Sequence, residues 1–190
     1  MITRDNALAL LKAKNDETNL IHHALESEAV MRGLARRLAR DEELWGVTGL
    51  LHDLDYAATR DNHVRHGLDT VDMLQDKLPQ EALDAIRRHA SELNGAEGPQ
   101  TELDHALRCG ETVTGMVHAG ALVRPTRIDG MQPKSLKKKM KDKAFAASVN
   151  RECIRECERI GLELGEFLQV AIDAITDIAP QVGLGPTMDQ

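Results

Sequence analysis

Apolar residues return at intervals of three and four along most of the chain, the pattern of helices that bury one face. In TNLIHHALESEAVMRGLARRLAR, the positions Leu20, Ile21, Ala24, Leu25, Val30, Met31, Leu34, Ala35 and Leu38 share one broad stripe. Thr18 or Asn19 is placed to cap its start. The next segment, DEELWGVTGLLHDL, opens with acids that suit the positive end of a helix and then turns apolar on nearly every side, as a central helix would. DNHVRHGLDTVDMLQDKL, capped by Asp61 or Asn62, and PQEALDAIRRHASEL, opened by a proline and closed by NGAEGP, read as two further helices.

TELDHALRCGETVTGMVHAGALV carries Thr101 and Asp104 in a variant of the capping box and reads as one long helix weakened by Gly110 and Gly115. RPTRIDGMQPK, with two prolines and a glycine, reads as a loop. A basic helix from about Ser135, another from Asp142 through Cys157, and a last one across ELGEFLQVAIDAITDIA complete the chain before Pro180. No internal repeat and no alternating run long enough for a strand interrupts this pattern. The expected fold is all-α: a single domain over residues 1–190, with a helical-bundle core at about 15–130 and a C-terminal helical extension at about 134–178 acting as a lid or appended hairpin.

Composition agrees with that picture. Apolar residues make up 42% of the 190-residue chain but aromatic ones only 2%, so the core must be built from Leu, Ala, Ile, Val and Met, a mixture that favours helices over sheets. The formal charge of −7 argues against a protein that wraps nucleic acid over a broad surface. No stretch approaches the roughly 18 apolar residues of a membrane span, and the polar start MITRDNALALLKAKND lacks the apolar centre of a signal peptide. A cytoplasmic protein is expected. Cys109, Cys153 and Cys157 are an odd count without paired zinc-type spacing, so they read as free thiols.

The chemistry is concentrated in histidines and acids placed on apolar helical faces. His52, Asp53 and Asp55 end the greasiest segment of the chain, where such groups are costly to bury unless paired or bound to something. His23 falls on or near the stripe of its helix, His66 and His89 stand in separate later helices, and Glu111 sits in a largely apolar stretch. Polar residues on inward positions of different helices converge in bundle cores as ligand sets do. Imidazoles mixed with carboxylates suit Mn, Fe, Co, Ni or Zn, and a more oxygen-rich set suits Mg. A divalent metal ion, one or two, is the expected cofactor.

The ordered set LIHHALESEAVMRGLA, WGVTGLLHDLDY, RHGLDTVDML, AIRRHASE, ETVTGMVHAGALVRP and SLKKKMKDKAFAASVNR resembles the HD superfamily of metal-dependent phosphohydrolases, more closely its HDIG-type bacterial and archaeal members, over roughly residues 15–178. The resemblance implies an all-α HD fold with a metal at the bundle centre. It carries the first histidine ligand to His23 rather than His22, the paired motif to His52 and Asp53, and the further histidines of two-metal members to His66 and His89. The family's last ligand, normally an aspartate, falls on Glu111, whose extra methylene displaces the carboxylate. Ala90 stands where some two-metal relatives carry another histidine.

The implied activity is hydrolysis of a phosphate ester of a nucleotide or other small phosphorylated compound. The rival is a catalytically silent HD module that binds a nucleotide or a protein partner. Asp55 is a candidate water-orienting or general-base carboxylate, with capping or pairing to Arg60 or Arg65 as its alternative. His63, His105 and His118 read as surface or structural.

One stretch remains outside that site. PKSLKKKMKDK holds six lysines and one acid, which reads either as a solvated helix face or, with Arg124 and Arg127, as a rim that draws an anionic substrate. No aromatic platform accompanies it, so extended binding of nucleic acid is disfavoured. The sequence leaves the oligomeric state open.

Overall fold

The computed structural model describes residues 1–185; residues 186–190, the end of the single domain expected over 1–190, lie outside the described residues. Among the described residues every regular element is helical. The N-terminal segment, for which the sequence suggested no element, forms α1 (Arg4–Lys14), capped by Thr3 through its hydroxyl to the Asn6 amide. α2 (Thr18–Leu38) begins at the residue expected to cap it. Glu17 is the cap position, and no side chain bonds the first amides there. α3 (Glu42–Leu51) is capped as its acidic start implies: Asp41 accepts from the Leu44 amide at 2.9 Å.

α2 and α3 form the most extensive helix pair, and a glycine sets how near they lie. A Cβ at Gly49 would stand 2.8 Å from both Met31 Cγ and the Ser27 carbonyl oxygen. Only hydrogen fits in that space. The short separation brings the side of α2 bearing His23 against the end of α3 bearing His52.

Three expected helices are broken. DNHVRHGLDTVDMLQDKL divides into a 3₁₀ turn at His63–Arg65 and α5 (Leu68–Leu74), with Gly67 between them at φ 78°. That left-handed conformation suits glycine, and it ends the turn so that His66 enters the centre of the bundle rather than continuing a helix. PQEALDAIRRHASEL divides at Ala90 into α6 (Gln80–His89) and α7 (Ser91–Asn94).

The third correction falls at Asp142–Val149, a strap of turns rather than a helix. Arg151 explains it: its guanidinium donates to the carbonyls of Ala146 (2.7 Å), Val149, Asp142 (3.3 Å) and Phe145. Carbonyls taken by a side chain are not available to a helical ladder. The helix proper, α10 (Arg151–Arg155), starts only after Asn150, whose side chain accepts from the Glu152 and Cys153 amides. The tyrosine of the HD segment opens a single helical turn, α4 (Tyr56–Thr59).

α8 (Glu102–Leu122) is unbroken, with the full Thr101–Asp104 capping box at its start. α9 (Pro133–Met140) and α11 (Leu164–Asp177) follow the loop and the strap. The C-terminal segment is not an appended hairpin. Phe167, Leu168, Ala171, Ile172 and Ile175 of α11 belong to one apolar cluster that runs from Ala7 of α1 to Leu184, because the stripe of α11 packs against α2, α8 and α9. The core therefore extends beyond the expected 15–130 in both directions. No helix among the described residues is long and apolar enough to cross a membrane.

Candidate metal centre

Five of the six expected ligands meet at the middle of the bundle. His23 comes from α2, His52 and Asp53 from the end of α3, His66 from the turn before Gly67, and His89 from the last residue of α6. Asp53 is the hinge of the set. Its Oδ1 lies 3.3 Å from His52 Nε2, 3.3 Å from His66 Nε2 and 3.2 Å from His89 Nε2, and its Oδ2 lies 3.6 Å from His23 Nε2. Two triads result, His23–His52–Asp53 and Asp53–His66–His89, each with ligand atoms close enough to hold one ion.

The outer nitrogens of all four imidazoles are already committed. His52 Nδ1 donates to the Gly49 carbonyl at 2.8 Å and His89 Nδ1 to the Ile86 carbonyl at 2.6 Å, both within their own helical turns. His66 Nδ1 donates to Asp55 Oδ1 at 2.9 Å. His23 Nδ1 donates to the Thr114 hydroxyl at 3.0 Å, and that hydroxyl spends its own proton on the Glu111 carbonyl at 2.6 Å. A carbonyl or a carboxylate only accepts, as does a hydroxyl whose proton is already spent, so each of these contacts places a proton on Nδ1 and turns Nε2 toward the centre, where a neutral ring offers its lone pair.

The Nε2 atoms then face one another at close range, 3.3 Å from His23 to His52 and 3.2 Å from His66 to His89. Two lone pairs at that distance repel unless a cation or a proton lies between them. The donor set therefore fits a divalent cation in each half, with imidazole nitrogens oriented by partners behind them as metal-bound histidines are.

The electrostatics are those of a site prepared for positive charge. Burial pushes His52 down to about 3, with Asp53 opposing only in part, so the ring is neutral. Burial would raise the Asp53 carboxyl, but His52, His66, His89 and His23 outweigh it and hold it well below the usual carboxylate range. Burial likewise disfavours the His66 cation, yet Asp53 and Asp55 together raise it to about 10.

Asp55 does not stand open to water. Besides His66, its Oδ2 accepts from the amides of Gly67 at 2.8 Å and Thr70 at 3.0 Å, and the residue is buried. Its expected water-orienting role gives way to one of aiming His66. The alternative partners also lie elsewhere, since Arg60 pairs with Glu17 and Arg65 with Asp69 and Asp72. Glu111 stands back from the cluster: its Oε2 is 3.9 Å from His23 Nε2, and its Oε1 accepts from the Thr112 hydroxyl. It belongs to neither triad. Burial raises its carboxyl, against the pull of His23.

Several supporting residues escaped sequence reading. Arg108, buried on α8, donates to the His89 carbonyl at 2.8 Å and to Glu92 and Glu156. Asn94 holds the His66 carbonyl at 2.9 Å. The only sequence signal was polarity at positions in step with an apolar stripe. Of the remaining histidines, His105 pairs with Glu156 and His118 with Glu26, both structural contacts.

The centre opens into a cleft of about 640 Å³ whose lining includes Leu20, Tyr56, Leu93 and, from the strap and the start of α10, Ser148, Val149, Asn150 and Cys153. Fold and side chains together define a class, an all-helical bundle that converges histidines on a shared aspartate in an arrangement that could hold a metal ion. A family model described as HD domain matches residues 20–142, well over half of the chain, and the chain belongs to that family, whose members are mostly metal-dependent hydrolases. No curated protein and no solved structure matches it.

Proposed function

We propose that the protein is an HDIG-type, metal-dependent phosphohydrolase that cleaves a phosphate ester of a nucleotide or another small phosphorylated compound. One observation carries the reading: four imidazoles, each with Nδ1 committed, present Nε2 around a carboxylate that serves both halves of the centre. His23, His52 and Asp53 would hold one ion, with Glu111 closing that half from across the cleft. Asp53, His66 and His89 would hold a second. A divalent ion bound there lowers the pKa of water toward neutrality and offsets charge on a phosphoryl oxygen.

The chain's own residues supply position and shelter. Thr114 and the Gly49 carbonyl aim His23 and His52, while Asp55 and the Ile86 carbonyl aim His66 and His89. Tyr56 lies edge-on to His66 with ring centres 5.3 Å apart, walling one side of the cleft. Ser148 and Val149 of the strap and Asn150 at the start of α10 line it as well.

The reading is tested by phosphate release from a panel of nucleotides and sugar phosphates with added Mn. Wild-type turnover that disappears in Asp53→Ala and His52→Ala is the expected result. Turnover that survives both substitutions would sink it.

A second reading, binding of a nucleotide or protein partner without turnover, draws on two features. Glu111 is turned toward Thr112, and among the described residues no lysine or arginine lines the cleft. Saturable nucleotide binding without product under the same conditions would favour it.

A further inference from the structure

The lysine-rich segment does not form a rim of the metal cleft. Three of its six lysines line a separate cavity of about 590 Å³, bounded by Lys137, Met140 and Lys141 at α9, Lys143 of the strap, Arg151, Glu152 and Arg155 of α10, and Leu164 of α11. The two cavities have no lining residue in common. They are divided by the start of α10, which gives Asn150 and Cys153 to the metal side and Arg151 and Glu152 to the basic side. The expected helpers are absent: Arg124 is bound to the Arg127 and Asp129 carbonyls of its own loop, and neither Arg124 nor Arg127 lines this cavity.

Five cations and a single acid face this space in a chain whose formal charge is −7. Among the described residues Lys137, Lys141, Lys143 and Arg151 make no ion pair, and Arg155 reaches only Glu158, at 3.4 Å. Arg151 gives both terminal nitrogens to carbonyls and keeps its buried Nε without a partner, which leaves its charge without a carboxylate. Lys137 is placed against the first turn of α11, where a Cβ on Gly165 would lie 2.7 Å from its Nζ. An ammonium beside the positive end of a helix is repelled unless an anion stands between them. The nearby acids do not provide one, since α11 has no side-chain cap and Glu166 in its first turn pairs with Arg37. Met140 and Leu164 give the same space an apolar wall.

We propose that this cavity is a second ligand site, distinct from the metal centre, that binds the oligophosphate group of a small molecule. Several phosphate oxygens matched to several uncompensated cations in a concave space distinguish such a ligand from a single diffuse counter-ion. The source of the group is either an inorganic oligophosphate or a nucleotide, whose nucleoside would lie on Met140 and Leu164. The site does not depend on what the metal centre hydrolyses.

The test is calorimetric titration of the full chain with inorganic tripolyphosphate and, in parallel, with ATP at near-physiological salt. Saturable binding is expected, weakened about tenfold or more in Lys137→Gln/Lys141→Gln, since each lost charge contact contributes a fraction of that factor. Both lysines are exposed, so the double variant should fold, which its melting curve checks. Asp53→Ala should leave the affinity within about twofold, because Asp53 lines only the metal cleft and shares no partner with the lysines. Tighter binding of ATP than of tripolyphosphate identifies the nucleotide, and equal affinity identifies the oligophosphate alone. The proposal is overturned by no saturable binding, by unchanged affinity in the lysine variant, or by loss of binding in Asp53→Ala, which would place the ligand in the metal cleft.

Discussion

His66 and Asp55 are joined Nδ1 to Oδ1 at 2.9 Å, both buried, and the other oxygen of Asp55 is held by the Gly67 and Thr70 amides. The carboxylate is thus pinned by backbone, and the ring is pinned by the carboxylate. Asp55→Asn should lower metal affinity in the His66–His89 half by about 10–100-fold, the usual cost of losing the group behind a histidine ligand. The His23–His52 half should keep its ion. Metal-to-protein ratios from elemental analysis check this, and equal loss from both halves would refute the assignment.

Glu111 lies 3.9 Å from His23 and outside both triads. If it closes the His23–His52 half, Glu111→Gln should weaken the ion there and spare the other half. Unchanged occupancy of both would remove Glu111 from the ligand set and leave it a wall of the cleft.

The approach of α2 to α3 rests on Gly49. Gly49→Ala would press a methyl group against the Ser27 carbonyl and Met31, and backbone cannot yield as a side chain can. A loss of about 1–3 kcal/mol is expected from such overpacking, read as a lower midpoint in urea. Parting these helices also separates His23 from His52, so metal occupancy should fall with stability.

His118 donates to Glu26 at 2.6 Å, and that bond, with burial opposing, raises its pKa above 6.5. A raised folded value favours the folded state in full below about pH 6.5 and loses that contribution as pH climbs through the folded pKa. Glu26→Gln should return the titration toward 6.5 and flatten stability between neutral and mildly alkaline pH. Proton NMR of the imidazole and denaturation at several pH values measure both.

The helices were legible wherever an apolar stripe was long, as in α2, α8 and α11, because burial of one face decides them. The breaks were less so. The glycine after His66 was a readable signal for a left-handed stop, and Asn150 before RECIRE was a readable cap. Nothing local marked Asp142–Val149, a stretch of good helix formers whose carbonyls are taken by Arg151. The expected ligands were found as polar residues on inward faces, together with the ordered motifs. Thr114, Asn94 and Arg108, which aim or brace those ligands, carry no local pattern of their own.

Sequence alone determined that the chain is helical, which faces turn inward, and which histidines and acids ride on them, since periodicity and residue type are properties of a single segment. Tertiary structure decided which nitrogen each imidazole offers, that Asp55 serves His66 rather than water, and that the lysines face a cavity of their own. Those outcomes depend on contacts between residues as far apart as His23 and Thr114, and such distances are set only when the helices pack.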